Sequence, residues 1–141
     1  MAFSIRETRE EDFEGISALL RDTKLADSYF SEGRFRKMLD RNRGCCYVAE
    51  DDSKLIGSAF ATHDGAFRGY IQKVAVAKKY IRQGVASKLM EAIIQKLEEA
   101  GIPLIFAHAE KGNKPSVELL KSLGFEIRDS HYLIDRGYKP R

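Results

Sequence analysis

No stretch of this 141-residue chain is apolar over the roughly 20 residues that a bilayer span requires. Its opening residues, MAFSIRETREED, hold no apolar run of the signal-peptide kind. The expected partners therefore include no membrane, and the expected compartment is the cytoplasm. Charge of one sign is not in excess: 24 basic and 21 acidic residues are interspersed, and a net charge of +3 is too weak and too mixed to predict nucleic-acid binding. Cysteine is scarce. Cys45 and Cys46 are neighbours in a predicted strand, where successive side chains point to opposite faces. A bridge between them is not expected, and neither forms part of a metal-ligand spacing, so core packing is their predicted role and no metal site is expected. Neither G-x-G-x-x-G nor G-x-x-x-x-G-K-[ST] occurs, so the dinucleotide and nucleoside-triphosphate readings lack their fingerprints. No linker, repeat or low-complexity segment interrupts the chain, and its length predicts one domain over 1–141. At 43% hydrophobic and 32% charged, it has the material for a packed core under a charged surface.

What is present centres on residues 70–100. Residues 70–76 (YIQKVAV) read as a strand, residues 77–83 (AKKYIRQ) as a short basic turn, and residues 84–100 as a helix. Val85, Leu89, Ile93 and Leu97 make an apolar stripe at helical spacing, with Ala86 and Met90 beside it and Lys88, Glu91, Gln95, Lys96, Glu98 and Glu99 opposite. Gly84 at the helix start removes a Cβ where a ligand could approach the backbone. The first turn of a helix has unpaired N–H groups and about half a positive charge, which suits an anion and above all a phosphate. On geometry alone, the same pattern also fits a glycine that merely permits tight packing.

In chain order, residues 3–7 predict a first strand. Thr8 to Glu11 fits a capping box ahead of a helix over 9–20. Residues 21–30 read as a loop, and Ser31 as the cap of a second helix to about residue 41. Strands follow over 45–50 and 55–63, joined to each other and to the strand at 70–76 by short turns, so these three should be antiparallel. Gly57 suggests a bulge or a close approach. Residues 104–109 predict a strand reached through a helix, hence parallel to 70–76. Pro115 suits the first turn of a last helix, which Gly124 ends. A last strand or compressed hairpin is expected over 126–136.

The stretch VAVAKKYIRQGVASKLM resembles motif A of the GCN5-related N-acetyltransferases, the GNAT family, in which Q/R-x-x-G-x-G/A links a strand to a helix. Residues 113–125 (NKPSVELLKSLGF) are similar to that family's N-x-x-A-x-x-x-Y-x-x-x-G-F segment. Two motifs in the right order are far more specific than one, and the resemblance covers roughly residues 4–135. It implies an α/β (α+β) fold: a central mixed, mostly antiparallel sheet flanked by about four helices and splayed between the fourth and fifth strands. It implies acetyl-CoA as co-substrate, with the pyrophosphate held by backbone N–H groups of Arg82, Gln83, Gly84, Val85, Ala86 and Ser87. Pantetheine would pair with Val74, Ala75 and Val76, and a backbone N–H near Val74 would polarise the acetyl carbonyl. Asn113 would touch the pantetheine arm or cap a helix. The first two helices and their loop would form one wall of the acceptor cleft, where Asp27, Tyr29 and Glu32 either meet the acceptor or are solvated loop charges.

The chain departs from the family pattern in three places. Ile81 stands where the motif opens with Gln or Arg. Leu120 stands where many relatives have the tyrosine that protonates the leaving thiolate. Tyr70, Gln72 and Lys73 occupy the stretch where many carry a glutamate base. The position five residues before Asn113 holds a glutamate in ribosomal-protein N-terminal acetyltransferases and is His108 here. Histidine is the side chain that exchanges a proton near neutral pH, so His108 is the candidate base, unless it is only a hydrogen-bonded strand residue. Glu110, expected on the same strand face, is a second candidate, and Tyr132 on the last strand is a candidate donor to the thiolate. The expected function is N-acetyl transfer to a primary amine of a small molecule or a protein N-terminus. The alternative is an acetyl-CoA-binding regulatory module with little catalysis, and the assembly open to either is a monomer or a homodimer.

Overall fold

The computed structural model describes residues 2–137. Its contacts divide the chain into two compact units, Met1–His108 and Ala109–Arg141, each taken here by itself.

The first unit is built on a five-stranded sheet in the order β1-β2-β3-β4-β5: β1 Ser4–Glu7, β2 Cys46–Asp51, β3 Lys54–His63, β4 Arg68–Val76 and β5 Leu104–Ala107. The first four run antiparallel in sequence order, and β5 lies parallel to β4. The fold is the mixed, mostly antiparallel one expected. Pairing of β4 with β5 stops at Ile71 and Ala107, so β4 runs on through residues 72–76 beyond its last β5 partner. The ladder between the fourth and fifth strands therefore ends short of the end of β4, where the splay was expected. β5 is shorter than the 104–109 predicted, so strand alternation no longer carries Glu110 to a defined face.

Helices α1 (Phe13–Asp22) and α2 (Glu32–Arg41) cover one face of the sheet. Ile16, Leu19, Leu20 and Phe35 pack there on Cys46, Val48, Phe60 and Ala75. Phe30, in the loop between the helices, stacks on Phe13 and Phe60 with ring centroids 5.3 and 6.1 Å apart. Helix α3 (Val85–Glu99) buries its predicted stripe of Val85, Leu89, Ile93 and Leu97 on the other face. Two glycines let it approach. A Cβ on Gly57 would stand 2.9 Å from Val85 Cγ1 and 3.0 Å from Leu89 Cδ1, and one on Gly69 would stand 3.1 Å from Leu97.

The predicted capping box is displaced by one residue. A 3-10 turn, Glu10–Asp12, precedes α1, and Asp12 rather than Glu11 accepts the backbone N–H, that of Arg9, at 2.8 Å. Asp12 also takes both guanidinium amines of Arg6, which turns to Glu50 as well. A carboxylate within reach of a fixed guanidinium gains two charge-assisted bonds, which a glutamate at the exposed Glu11 position does not find. Cys45 and Cys46 are buried free thiols, as expected. Burial pushes the Cys46 thiol up to about 12.

The second unit contains α4 (Lys114–Ser122), capped by Asn113, whose Oδ1 accepts from the Ser116 N–H at 3.3 Å, with Pro115 in the first turn as predicted. The strand or hairpin expected over 126–136 is not formed among the described residues. A strand exists through its ladder, and no described residue of this unit pairs with that stretch, in which Ile127, Tyr132, Leu133 and Ile134 are exposed.

Candidate functional site

The fourth strand carries a bulge where its fifth-strand partner has ended. Ser58 faces Ala75 and Phe60 faces Gln72, so Lys73 and Val74 together oppose Ala59. Lys73 is left-handed, with φ of +55°, a conformation that costs a residue with a Cβ about 1–2 kcal/mol. Ser58 Oγ donates to the Lys73 carbonyl at 2.9 Å and holds the bulge. The extra residue resets the alternation of β4: Gly69 faces α3, whereas Ala75 belongs to the core under α1. Val74 and Val76 are half-buried and Ala75 is buried, so all three predicted backbone contacts lie on the run of β4 that has no β5 partner.

After β4 the chain makes a 3-10 turn, Lys78–Tyr80. It is tied back to the sheet twice, by Ala77 N–H to the Ile56 carbonyl at 2.8 Å and by Tyr80 Oη to Asp51 Oδ2 at 2.7 Å. The hydrogen bond to the Asp51 carboxylate raises the Tyr80 phenol above its ordinary range. Arg82 (φ +67°) and Gly84 (φ +81°) are both left-handed, and Gly84 is the N-cap of α3 with no side chain bonded across the helix end. A turn of this kind exposes successive N–H groups to an anion, at the positive end of a four-turn helix. Nothing lies within 4 Å of a Cβ placed on Gly84, so its glycine answers to backbone conformation and not to crowding by neighbouring protein atoms. The Gln83 side chain is already used, donating to the Lys79 carbonyl at 3.0 Å, so what Gln83 can offer an anion is its backbone. Lys78, Lys79, Arg82 and Lys88 add positive charge around the turn and are exposed.

The structure thus brings Val74, Ala75, Val76, Arg82, Gln83, Gly84, Val85, Ala86 and Ser87 onto one strand–turn–helix unit. His108 follows β5 directly and is exposed. Glu110 and Asn113 belong to the second unit, as does Tyr132, which is 92% exposed and lies outside any strand. In the loop after α1, Asp27 is a loop organiser. Its Oδ1 accepts the N–H groups of Tyr29 and Phe30 at 2.9 and 3.0 Å, and its Oδ2 takes Lys73 Nζ. Partial burial pushes this carboxyl up, but the Lys73 and backbone bonds outweigh it and hold it below the usual range. Glu32 pairs with Arg36 along α2. Sequence reasoning passed over Lys73, Ser58, Tyr80 and Asp51. The sequence assigned none of them a role, because a bulge and a tied turn are made by register. A surface cleft of about 290 Å³ lined by Glu7, Thr8, Asp40, Asn42 and Cys46 lies at the opposite end of the sheet and holds none of the predicted site residues.

A mixed sheet with β5 parallel to β4, a bulge in β4 beyond its last β5 partner and a glycine-capped helix after it define an α/β fold of the N-acetyltransferase type. The model of the Acetyltransferase (GNAT) family matches residues 4–125, and the chain belongs to that family. It is 34% identical over 83 residues to N-alpha-acetyltransferase MAK3 of Arabidopsis thaliana, covering 57% of this chain and 44% of that protein. It is 31% identical over 83 residues to N-alpha-acetyltransferase 30 of Schizosaccharomyces pombe, covering 56% and 55%. The matches thus cover about half the length of these curated relatives. Among solved structures, the NatC complex bound to Gag peptide and CoA gives a TM-score of 0.77 at 28% identity, over 89% of this chain and 86% of that one. Ard1 from Thermoplasma volcanium shares the fold, with a TM-score of 0.79 at 21% identity over 91% and 85%.

Proposed function

We propose that residues 1–141 work as one acetyl-CoA-dependent N-acetyltransferase domain that acetylates a primary amine, with α-amines of peptides as the favoured acceptors. The observation that carries this reading is the unit formed by the β4 bulge, the Arg82 to Gly84 turn and the start of α3. It offers unpartnered strand backbone for pantetheine, an amide beside Lys73 for the acetyl oxygen and a helix N-terminus for the pyrophosphate. The co-substrate supplies the activated acetyl thioester. The chain supplies orientation, which by itself accounts for much of the advantage of a bound over a bimolecular reaction. In direct transfer the neutral amine attacks the thioester carbonyl, the C–S bond breaks, and the amine proton and the thiolate must both be dealt with. We assign the amine proton to His108, with Glu110 as second candidate, and protonation of the thiolate to Tyr132. Asn113 serves α4 as its cap and stands as a candidate contact to the pantetheine arm.

The preference for α-amines follows from amine acidity. At pH 7.5, freeing the neutral amine from a lysine costs about 4 kcal/mol, and from an α-amine below about 1 kcal/mol. A single imidazole base adds about 10²–10⁴-fold to either acceptor alike, so it leaves the difference of about 3 kcal/mol between them in place. The names of the N-alpha-acetyltransferase relatives support the same acceptor class. Buried, unbridged Cys45 and Cys46 suit a reducing compartment such as the cytoplasm. Leu120, where relatives carry a thiolate-protonating tyrosine, favours a second reading: an acetyl-CoA-binding regulatory module. Thiol release over a panel of N-terminal peptides, free lysine and small amines decides between them, and sedimentation of the same sample tests for a homodimer. Thiol release with peptide amines supports the enzyme. Acetyl-CoA binding without any release supports the module, and no thermal shift at millimolar acetyl-CoA refutes both.

A further inference from the structure

Lys73 engages the fold through both its backbone and its side chain. Its carbonyl is held by Ser58 Oγ, and its φ of +55° belongs to the β4 bulge. By strict alternation from Gly69 its side chain would lie on the α3 face of the sheet, but the bulge turns it away. Its ammonium instead reaches the loop after α1, donating to the Leu25 carbonyl at 3.2 Å and to the Asp27 carboxylate. The Lys73 side chain is 17% exposed, so the charge is largely sheltered, and two of its three donors are met by these acceptors.

The loop is shaped to receive it. Lys24 (φ +63°) ends α1 in the left-handed region, with Leu25 N–H bonded to the Leu20 carbonyl and Lys24 N–H to the Arg21 carbonyl, which leaves the Leu25 carbonyl for Lys73. The remaining Asp27 oxygen gathers the Tyr29 and Phe30 amides, and the Phe30 ring packs into the cluster of Phe13, Phe35 and Phe60. Loop 25–30 therefore stands one lysine's length from the bulge, on the α1 side of the sheet. A molecule approaching the open backbone of β4 from that side must pass it.

We propose that Lys73 is a positioning residue that ties loop 25–30 to the β4 bulge, so that acceptor entry and the amide offered to the acetyl oxygen move as one body. This rests on the acetyltransferase reading for its functional consequence, but the tie itself can be tested without turnover. With Lys73 replaced by an apolar side chain, Asp27 loses its cation and the loop loses its anchor, while the α3 phosphate turn is untouched. Acceptor binding should weaken, and co-substrate binding should not.

The experiment compares wild type, Lys73→Met, Lys73→Arg and Asp27→Asn. Hydrogen exchange of the amides in 25–30 reads the tie, a thermal shift with acetyl-CoA reads co-substrate binding, and steady-state kinetics with a peptide N-terminus read the acceptor. Lys73→Met should speed exchange in 25–30 by tenfold or more. It should also lower acceptor kcat/KM at least tenfold, mostly through KM, with the acetyl-CoA shift retained. Lys73→Arg should recover most of both effects. Asp27→Asn, which keeps the shape of the loop side, should reproduce a fraction of each and stands in should Lys73→Met fail to fold. Unchanged exchange in 25–30 in Lys73→Met, or in its stand-in, overturns the tie. Faster exchange with unchanged acceptor KM overturns its role in acceptor entry. Absence of any acetyl-CoA shift in the wild type refutes the acetyltransferase reading instead, and exchange then still decides whether the tie exists.

Discussion

Gly84→Asp separates the proposed pyrophosphate site from the stability of the helix that forms it. In the free protein the substitution has two opposed effects. A residue with a Cβ at φ +81° is strained by about 1–2 kcal/mol. Aspartate, however, is among the best N-cap residues, and a negative charge at a helix N-terminus is worth about 0.3–1 kcal/mol. Nothing lies within 4 Å of the new Cβ, so no steric term enters. The melting temperature of the free protein should therefore change by only a few degrees in either direction. Binding is a different matter. A carboxylate about 6 Å from a doubly charged pyrophosphate, at an effective dielectric of about 40–80, opposes it by about 1.4–2.8 kcal/mol. That is about a 10- to 100-fold loss of acetyl-CoA affinity. A ligand at one hundred times its dissociation constant stabilises by about 2.7 kcal/mol, so at fixed concentration that should fall to about 1.4 kcal/mol for a tenfold loss of affinity and about 0.4 kcal/mol for a hundredfold loss. Two controls fix the interpretation. Gly84→Ala carries the strain without the charge, and Lys96→Asp carries the charge at a residue three positions from the C-terminal end of α3, where Lys96 pairs with Glu99. Isothermal titration of all four proteins is the assay. Equal affinity for Gly84→Asp and Lys96→Asp would refute the assignment of the helix N-terminus.

Three further outcomes follow from the packing and the ionised groups. His108→Ala should lower turnover on peptide amines and change the pH–rate profile, with acetyl-CoA affinity nearly unchanged; identical rates and profiles would remove His108 from the mechanism. Gly57→Ala should cost about 1–3 kcal/mol in urea unfolding, because its Cβ would press on Val85 and Leu89 at 2.9 and 3.0 Å, and an unchanged midpoint would mean that α3 yields freely. Asp12→Asn should cost about 1.5–3 kcal/mol at pH 7. Burial raises the Asp12 carboxyl, but Arg6 and the Arg9 amide lower it further, so its net folded value is depressed. The stability it confers is thus complete above the unfolded carboxyl value of about 3.9 and is lost as pH falls through the lower folded value. Wild type and variant should converge on acidification, and a gap that does not narrow as pH falls below about 3.9 would contradict the pairing.

Much of the first unit was legible because its elements are encoded by period and punctuation. The stripe Val85, Leu89, Ile93 and Leu97 has helical spacing and is buried as read, and the two short turns around β3 made antiparallel neighbours of β2, β3 and β4. Gly57 announced a close approach, and the structure supplies the two side chains that cause it. The family motif located the helix start although its first position is Ile81. What stayed hidden depends on register. An extra residue at Lys73 cannot be read from YIQKVAV, since a bulge is a relation between two strands and not a composition. Tyr80 and Asp51 are 29 positions apart and meet only after β2, β3 and β4 are assembled. The misread end, residues 126–136, has apolar residues at Ile127 and over Tyr132, Leu133 and Ile134, but apolar residues make a strand only where a neighbour offers a ladder.

The two non-glycine residues held left-handed at the proposed site, Lys73 and Arg82, bracket the segment that would touch the co-substrate from thioester to pyrophosphate. Each conformation costs about 1–2 kcal/mol that a regular strand or helix would not incur. At Lys73 the surrounding bonds from Ser58, Leu25 and Asp27 over-determine the geometry. At the turn, Tyr80 with Asp51 and Gln83 with the Lys79 carbonyl do the same. A site built this way works through main-chain amides whose direction is fixed by φ and not by side-chain identity. That is why Ile81 can replace the motif's polar residue without dismantling the turn. The motif and the chemistry can then diverge: the frame proposed for an acyl carrier lies in backbone shape, which does not fix the groups proposed to move protons, of which His108 is the nearest in sequence to β5. The side chains that brace the frame, and not the residues facing the ligand, are then where substitutions should be felt most widely.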